Sequence, residues 1–135
     1  YLPSLSRIAA DGRASLTAIG GTYDTGHESF LGIAAVAAIR GLRVDAAFFS
    51  TSSADADGTY HQEESIVAVK AEMLRSARRA GASDGPSKLN GTSLHLVVGL
   101  VRDRRRRDRF RCTTGTGRCP PCTGGVDHRR LPRRR

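Results

Sequence analysis

The densest set of reactive groups in the chain is the stretch DGTYHQEE, residues 57–64. Asp57, Tyr60, His61, Glu63 and Glu64 crowd polar side chains onto a Gly-containing loop, with Gly58 beside Asp57, that leads into a helix. A histidine among carboxylates has the groups for general acid–base work near neutral pH. The same residues have a plainer use, since acids in the first turn of a helix complement its dipole. No second catalytic group at matching spacing accompanies His61. The pattern therefore favours binding over turnover, and no catalytic residue is assigned.

Three further places could hold an anion. Gly20, Gly21 and Thr22 offer backbone N–H groups and a hydroxyl to a phosphate, or else form a tight strand-to-helix turn. Lys70 falls among apolar positions of a helix, where it must reach a ligand, snorkel, or pair with Glu63 or Glu72. Lys88 follows Ser87 in a Gly/Pro-bounded loop, and an ammonium beside a hydroxyl suits an anionic oxygen.

These residues need elements to hold them. The run from residue 15 to 19 is apolar, of strand length, and ends in Gly-Gly. Phe30, Ile33, Ala34, Ala37 and Ala38 then recur at helical spacing, with Gly41 at the stop. Val44, Ala46, Ala47, Phe48 and Phe49 read as a strand buried on both faces. After the polar loop 50–62, a second helix begins near Gln62. Ile66, Val69, Met73 and Ala77 line one face, Val67 and Leu74 lie beside them, Arg75, Arg78 and Arg79 close the helix, and Gly81 stops it. SLHLVVGLV, residues 93–101, is another strand. Strand, helix, strand, helix, strand predicts an α/β domain on a parallel sheet, with ligands beyond the carboxyl ends of the strands. The Gly20–Thr22 turn and the 50–62 loop are then the candidate site loops.

Charge divides the chain unevenly. Residues 1–101 hold nine Lys/Arg against ten Asp/Glu, a net of −1, and residues 102–135 hold thirteen Arg against three Asp, a net of +10; together they give the chain's +9. The basicity is thus a property of the last quarter. That tail, with seven arginines in the ten residues from Arg102, has the charge for salt-sensitive nucleic-acid binding but no interleaved aromatics. Cys112, Cys119, Cys122 and His128 resemble zinc ligands in type, but Pro120 and Pro121 inside the C-x2-C pair remove the N–H donors that thiolates accept from. No metal or other cofactor is assigned. Hydrophobic periodicity ends abruptly at Val101, inside the domain pattern, and Arg, Gly and Pro are what GC-rich codons yield out of frame. A disordered tail produced by a frameshift is the reading adopted, with 1–101 as the domain. No window approaches the roughly eighteen apolar residues of a membrane span, no signal peptide is visible, and a cytoplasmic protein is expected.

The ordered series LTAIGGTY, SFLGIAAVAAIRGLRVDAAFFS, ADGTYHQEESIVAVKAEMLRSARR and SKLNGTSLHLVVGL, over roughly residues 1–100, resembles the effector-sensing C-terminal domain of DeoR-type bacterial transcriptional repressors. The resemblance implies a Rossmann-like, parallel-sheet fold of the sugar-isomerase and aminosugar-phosphate deaminase type, incomplete at both ends. It implies a phosphorylated sugar or related metabolite as ligand, a homo-oligomer, and DNA contact only through a helix-turn-helix that this sequence does not contain. Gly20, Gly21, Thr22, Asp57, Gly58, Tyr60, His61, Glu63, Lys70, Ser87 and Lys88 are the ligand-binding candidates on that basis. In the related deaminases an Asp-Gly-His loop, like DGTYH here, serves acid–base chemistry, so a sugar-phosphate isomerase or deaminase is the alternative; nucleic-acid binding through the tail is the third. One departure stands out. Where the family runs an apolar strand into Asp-x-Ser-Lys, this chain has AGASDGPSK, with no apolar run and with Asp84 one residue further from Lys88.

Overall fold

A computed structural model of the 135-residue chain describes residues 1–55, 57–83, 88, 93–101, 110–114, 117–118 and 125–126. It opens with helix α1 (Leu2–Asp11), an element absent from the sequence expectation although Leu2, Leu5 and Ile8 recur at helical spacing. Its signals are local. Pro3 occupies the first turn, where a missing N–H is tolerated, and Gly12 (φ 65°) closes the helix with its N–H on the Ile8 carbonyl at 3.2 Å. Residues 15–19, expected as a strand, carry none. An apolar run becomes a strand only beside a neighbour that takes its ladder bonds, and Leu16 and Ile19 stay exposed.

The Gly20–Gly21 pair leads instead into the hairpin β1 (Thr22–Asp24) and β2 (Ser29–Leu31), paired antiparallel with Thr22 opposite Leu31. Helix α2 (Gly32–Arg40) follows and ends before Gly41, as predicted. Its buried face is not the predicted one. Ala35 and Ile39, in line with Leu31, face the interior, whereas Ile33 is 90% exposed and Ala34 and Ala37 are also outward. Every residue from 33 to 39 is apolar, so periodicity had no polar face against which to choose.

Strand β3 (Val44–Phe49) forms where expected but is not buried on both faces. Ala47 and Phe49 are buried while Ala46 and Phe48 are exposed, the alternation of a strand covered on one side. The hairpin β4 (Ser53–Ala54) and β5 (Gly58–His61) occupies the predicted loop, and helix α3 (Glu64–Ser76) comes next. The sequence carried α3 on to Gly81; in the structure Ala77, Arg78 and Arg79 are already extended in β6 (Ala77–Ser83). That strand pairs parallel with β3 from Val44–Ala77 to Phe49–Ala82. Its ladder bonds take the place of a further helical turn that Gly81 would have weakened. A strand therefore enters the loop before Lys88 although the chain has no apolar run there.

Strand β7 (His95–Val101) agrees with the sequence but joins β5 antiparallel rather than the parallel sheet. Beyond Val101, β8 (Phe110–Thr114) extends the parallel sheet beside β6, β9 (Gly117–Arg118) caps it antiparallel, and β10 (Gly125–Val126) pairs with β7. The sheets run β3-β6-β8-β9 and β10-β7-β5-β4. The chain is thus a mixed α/β fold with a parallel sheet. Most of the segment expected to be disordered lies outside the described residues, as do Cys119, Cys122 and His128 of the zinc-like set.

The core sits between the helices. Leu31, Ala35, Ile39, Ile66 and Val69 cluster there, with Val36 and Met73 packed against them. Ile66, Val69 and Met73 are the predicted stripe; Ala77 has left it for β6. Leu74 is fully buried on α3, as are Val97 and Val98 on β7. Glu72, 3% exposed, brings a carboxylate into the interior. Arg75 Nη1 donates to its carboxylate at 3.2 Å, and Arg40 Nη2 approaches to 3.8 Å from α2, so the charge is paired across the two helices.

Candidate functional site

A cavity of about 500 Å³ opens at the carboxyl end of β3, the end at which parallel sheets bind ligands. Phe48, Phe49 and Ser50 form its β3 side, and Ile66, Val69, Lys70 and Met73 form its α3 side. The β1–β2 hairpin contributes His27 and Ser29, β5 ends in it at His61, and α1 brings Tyr1 and Ser4 to its rim. Its lining mixes apolar side chains with a few polar groups, a combination common in small-molecule sites.

Two of the lining residues are histidines, His27 and His61, with ring centroids 6.1 Å apart and in different states of engagement. His27 is held at both ends. Its Nδ1 lies 3.0 Å from Asp24 Oδ1 and its Nε2 lies 3.1 Å from Glu63 Oε1. Asp24 Oδ1 also accepts the His27 backbone N–H at 2.8 Å, an Asx turn that shapes the hairpin tip. The ring thus ties the tip of β1–β2 to Glu63, the N-cap of α3. Those contacts with His27 hold the Asp24 carboxyl below its usual range.

His61 is buried, and its Nδ1 accepts the Glu63 backbone N–H at 3.3 Å. A backbone N–H can only donate, so Nδ1 carries the lone pair and the neutral ring carries its proton on Nε2. Burial pushes the ring's pKa down from 6.5 to about 4, with the charges of Lys70, His27 and Lys88 acting in the same direction. At neutral pH His61 is an uncharged hydrogen-bond donor. The register shift of β5 against β7 falls between Thr59 and Tyr60, with Tyr60 alone between it and His61, and a bulge is a common device for aiming a side chain into a site.

The candidate residues separate in space. His61 and Lys70 line the cavity, and Glu63 joins them through His27. Lys70 Nζ donates to the Ser50 carbonyl at 2.5 Å, which fixes the ammonium at the end of β3. Lys88 acts on the His61 ring through its charge but does not line the cavity. Asp57 and Gly58 form the β4–β5 turn, where Asp55 Oδ1 accepts both their N–H groups at 2.8 and 2.9 Å, and they do not line the cavity. Tyr60 sits on β5 outside the lining. Gly20, Gly21 and Thr22 are also elsewhere. Gly21 (φ 126°) lies so close to the β2–α2 junction that a Cβ would come within 2.7 Å of the Leu31 carbonyl oxygen, which gives the pair a turn-and-packing role. Ser87 lies outside the described residues.

Sequence reasoning missed His27, Asp24 and Ser50. The signal for the first two was present in YDTGHES, an Asp three residues before a His across a Gly-containing turn. Ser50 contributes through its backbone carbonyl, which no side-chain pattern reveals. Among the described residues no cluster of three or more His, Cys, Asp or Glu could hold a metal ion, and no helix is long and apolar enough to cross a membrane.

The family described as the DeoR C terminal sensor domain matches residues 1–102, which takes in α1 through β7 and every candidate residue. No curated protein and no solved structure matches the chain significantly. The match covers most of the sequence, and the chain belongs to the DeoR C-terminal sensor-domain family.

Proposed function

We propose that the chain is the effector-binding part of a DeoR-type transcriptional repressor and that the cavity beyond β3 takes a phosphorylated sugar or related anionic metabolite without converting it. The observation that carries this reading is the placement of Lys70, which lines the cavity with His61 and has its ammonium bonded to the Ser50 carbonyl at the end of β3, where a cation suits an anionic oxygen. Lys70 supplies the ammonium, and the neutral His61 is suited to donate to a ligand oxygen through Nε2–H. Binding without turnover is supported by the state of the other groups. The Asp24 and Glu63 carboxylates both contact His27 and do not line the cavity, and His61 holds its lone pair against the Glu63 N–H. Metabolite phosphates are intracellular compounds, which agrees with a cytoplasmic regulator.

Isothermal calorimetry and thermal unfolding of the chain with glucose 6-phosphate and with inorganic phosphate test the reading. Both probes should bind and raise Tm, and Lys70→Met should weaken both at least about tenfold, a typical result of losing a charge-assisted contact. Absence of binding by either probe would overturn the anion site. Conversion of glucose 6-phosphate detected by NMR, abolished in His61→Ala, would replace the sensor by the isomerase or deaminase alternative.

A further inference from the structure

We propose that His27 is a positioning residue for His61: through the Glu63 carboxylate it holds the residue whose backbone N–H selects the His61 tautomer. The consequence for ligand binding rests on the anion-site reading above; the tautomer itself does not. Glu63 is held from two sides. Its backbone N–H donates to His61 Nδ1 at 3.3 Å, and its carboxylate Oε1 meets His27 Nε2 at 3.1 Å. No local bond fixes that side chain, for Glu63 is the N-cap of α3 yet makes no side-chain cap bond to its own helix. The bond to His61 is long, and a small shift of the Glu63 backbone would open it.

His27 has a fixed base from which to act. Its backbone N–H donates to Asp24 Oδ1 at 2.8 Å, its carbonyl accepts from Ser29 Oγ at 2.8 Å, and its Nδ1 lies 3.0 Å from the same Asp24 oxygen. The hairpin tip is braced in turn against α1, where the Leu2 N–H donates to the Glu28 carbonyl at 2.7 Å. The tip therefore offers Nε2 to Glu63 from a rigid mount. While the Glu63 N–H occupies Nδ1 of His61, the neutral ring carries its proton on Nε2 and can donate to a ligand oxygen from that nitrogen alone. A ring released from Glu63 exchanges between two tautomers. The difference to a ligand is one neutral hydrogen bond, roughly two- to tenfold in affinity.

Nitrogen NMR of the whole, isotope-labelled chain at neutral pH reads the His61 tautomer with no ligand present. The wild type should show a single form, with Nδ1 bare and Nε2 protonated. Two substitutions separate the ends of the His27 ring. The amide nitrogen of His27→Gln stands in for Nε2 and still reaches Glu63, whereas that of His27→Asn stands in for Nδ1 and reaches only Asp24. His27→Gln should keep the wild-type signature. His27→Asn should give mixed tautomers, as should Glu63→Ala, which removes the carboxylate but keeps the backbone N–H. The side chains of His27 and Glu63 are only half-buried, so all three variants should unfold within about 5 °C of the wild type. In calorimetry, His27→Asn and Glu63→Ala should bind glucose 6-phosphate roughly two- to tenfold more weakly than the wild type, and His27→Gln should match it. Three results would overturn the proposal, whether or not a ligand binds: a wild-type ring protonated on Nδ1, an unchanged single tautomer in His27→Asn and Glu63→Ala, or a His27→Gln ring that behaves as His27→Asn does. The expected nitrogen pattern in a wild-type chain that fails to bind glucose 6-phosphate would remove the anion site and leave the positioning role established.

Discussion

Acidification should destabilise this protein through the His61 ring, and the size of the effect can be worked out from the structure. The ring's pKa is near 4 in the folded chain, lowered first by burial and then by Lys70, His27 and Lys88; in the unfolded chain it returns to about 6.5. Between those values the unfolded state binds a proton that the folded state refuses. Stability is therefore complete above the unfolded pKa and declines as pH falls towards 4. For an unscreened group the loss between pH 7 and pH 5 would be about 2 kcal/mol. The ring borders a cavity open to solvent, and screening reduces the expectation to about 1 kcal/mol. Asp24 does not interfere in this window, because its carboxyl is held below the usual range and titrates at lower pH. The assay is urea unfolding at the two pH values for the wild-type chain and for His61→Asn, whose side-chain oxygen can still accept the Glu63 N–H but cannot titrate. The wild type should lose about 1 kcal/mol more than the variant on going to pH 5. Parallel losses in the two proteins, equal to within a few tenths of a kcal/mol, would refute a ring held neutral by its surroundings.

Three other substitutions probe the frame that holds the site. Glu72→Ala strands Arg75 and Arg40 at the α2–α3 contact and should cost about 2–3 kcal/mol in urea unfolding, the low end for a broken buried pair because both arginines can turn to water; a loss below about 0.5 kcal/mol would show that the pair is not a buried one. Gly21→Ala forces a Cβ to within 2.7 Å of the Leu31 carbonyl oxygen at a φ of 126°, and should lower stability by about 2–4 kcal/mol; an unchanged Tm would contradict the close approach. Thr59 Oγ1 is buried with no hydrogen-bond partner among the described residues, so Thr59→Val should be neutral or stabilise by up to about 1 kcal/mol, and a clear loss of stability would reveal a partner for the hydroxyl.

What the sequence disclosed depended on whether local pattern or distant pairing decided each element. The start of α3 and its Ile66–Val69–Met73 stripe were legible because polar residues flank that stripe and give periodicity something to contrast with. α2 was legible as a helix but not in orientation, since a segment without polar residues presents the same pattern from every side. β6 was not legible at all: Ala77–Ser83 has weak strand character, and its conformation comes from the ladder with β3, more than thirty residues earlier. The apolar run at 15–19 shows the converse, strand-like residues with no neighbour to pair with. At the site the same rule holds. His61 and Lys70 could be named from their types and surroundings, whereas His27 gains its place from Glu63, which lies thirty-six positions further along the chain.

On the proposed reading, the division of work between the two histidines is what would let a near-neutral segment hold an anion. Residues 1–101 carry a net charge of only −1, the chain's excess of arginine lying beyond them, so the segment that forms the cavity supplies no net positive charge of its own. What remains is placement. Asp24 and Glu63 both contact His27 and neither lines the cavity, whereas Lys70, bonded to the Ser50 carbonyl, does. His61, kept uncharged, can give a hydrogen bond without adding a buried charge that would have to be stabilised when the site is empty. Had the acids faced the cavity and His61 offered a free lone pair, the same five residues would have made a better proton-transfer site than a binding site. The geometry that engages those groups elsewhere is the physical basis for reading this member of the family as a sensor.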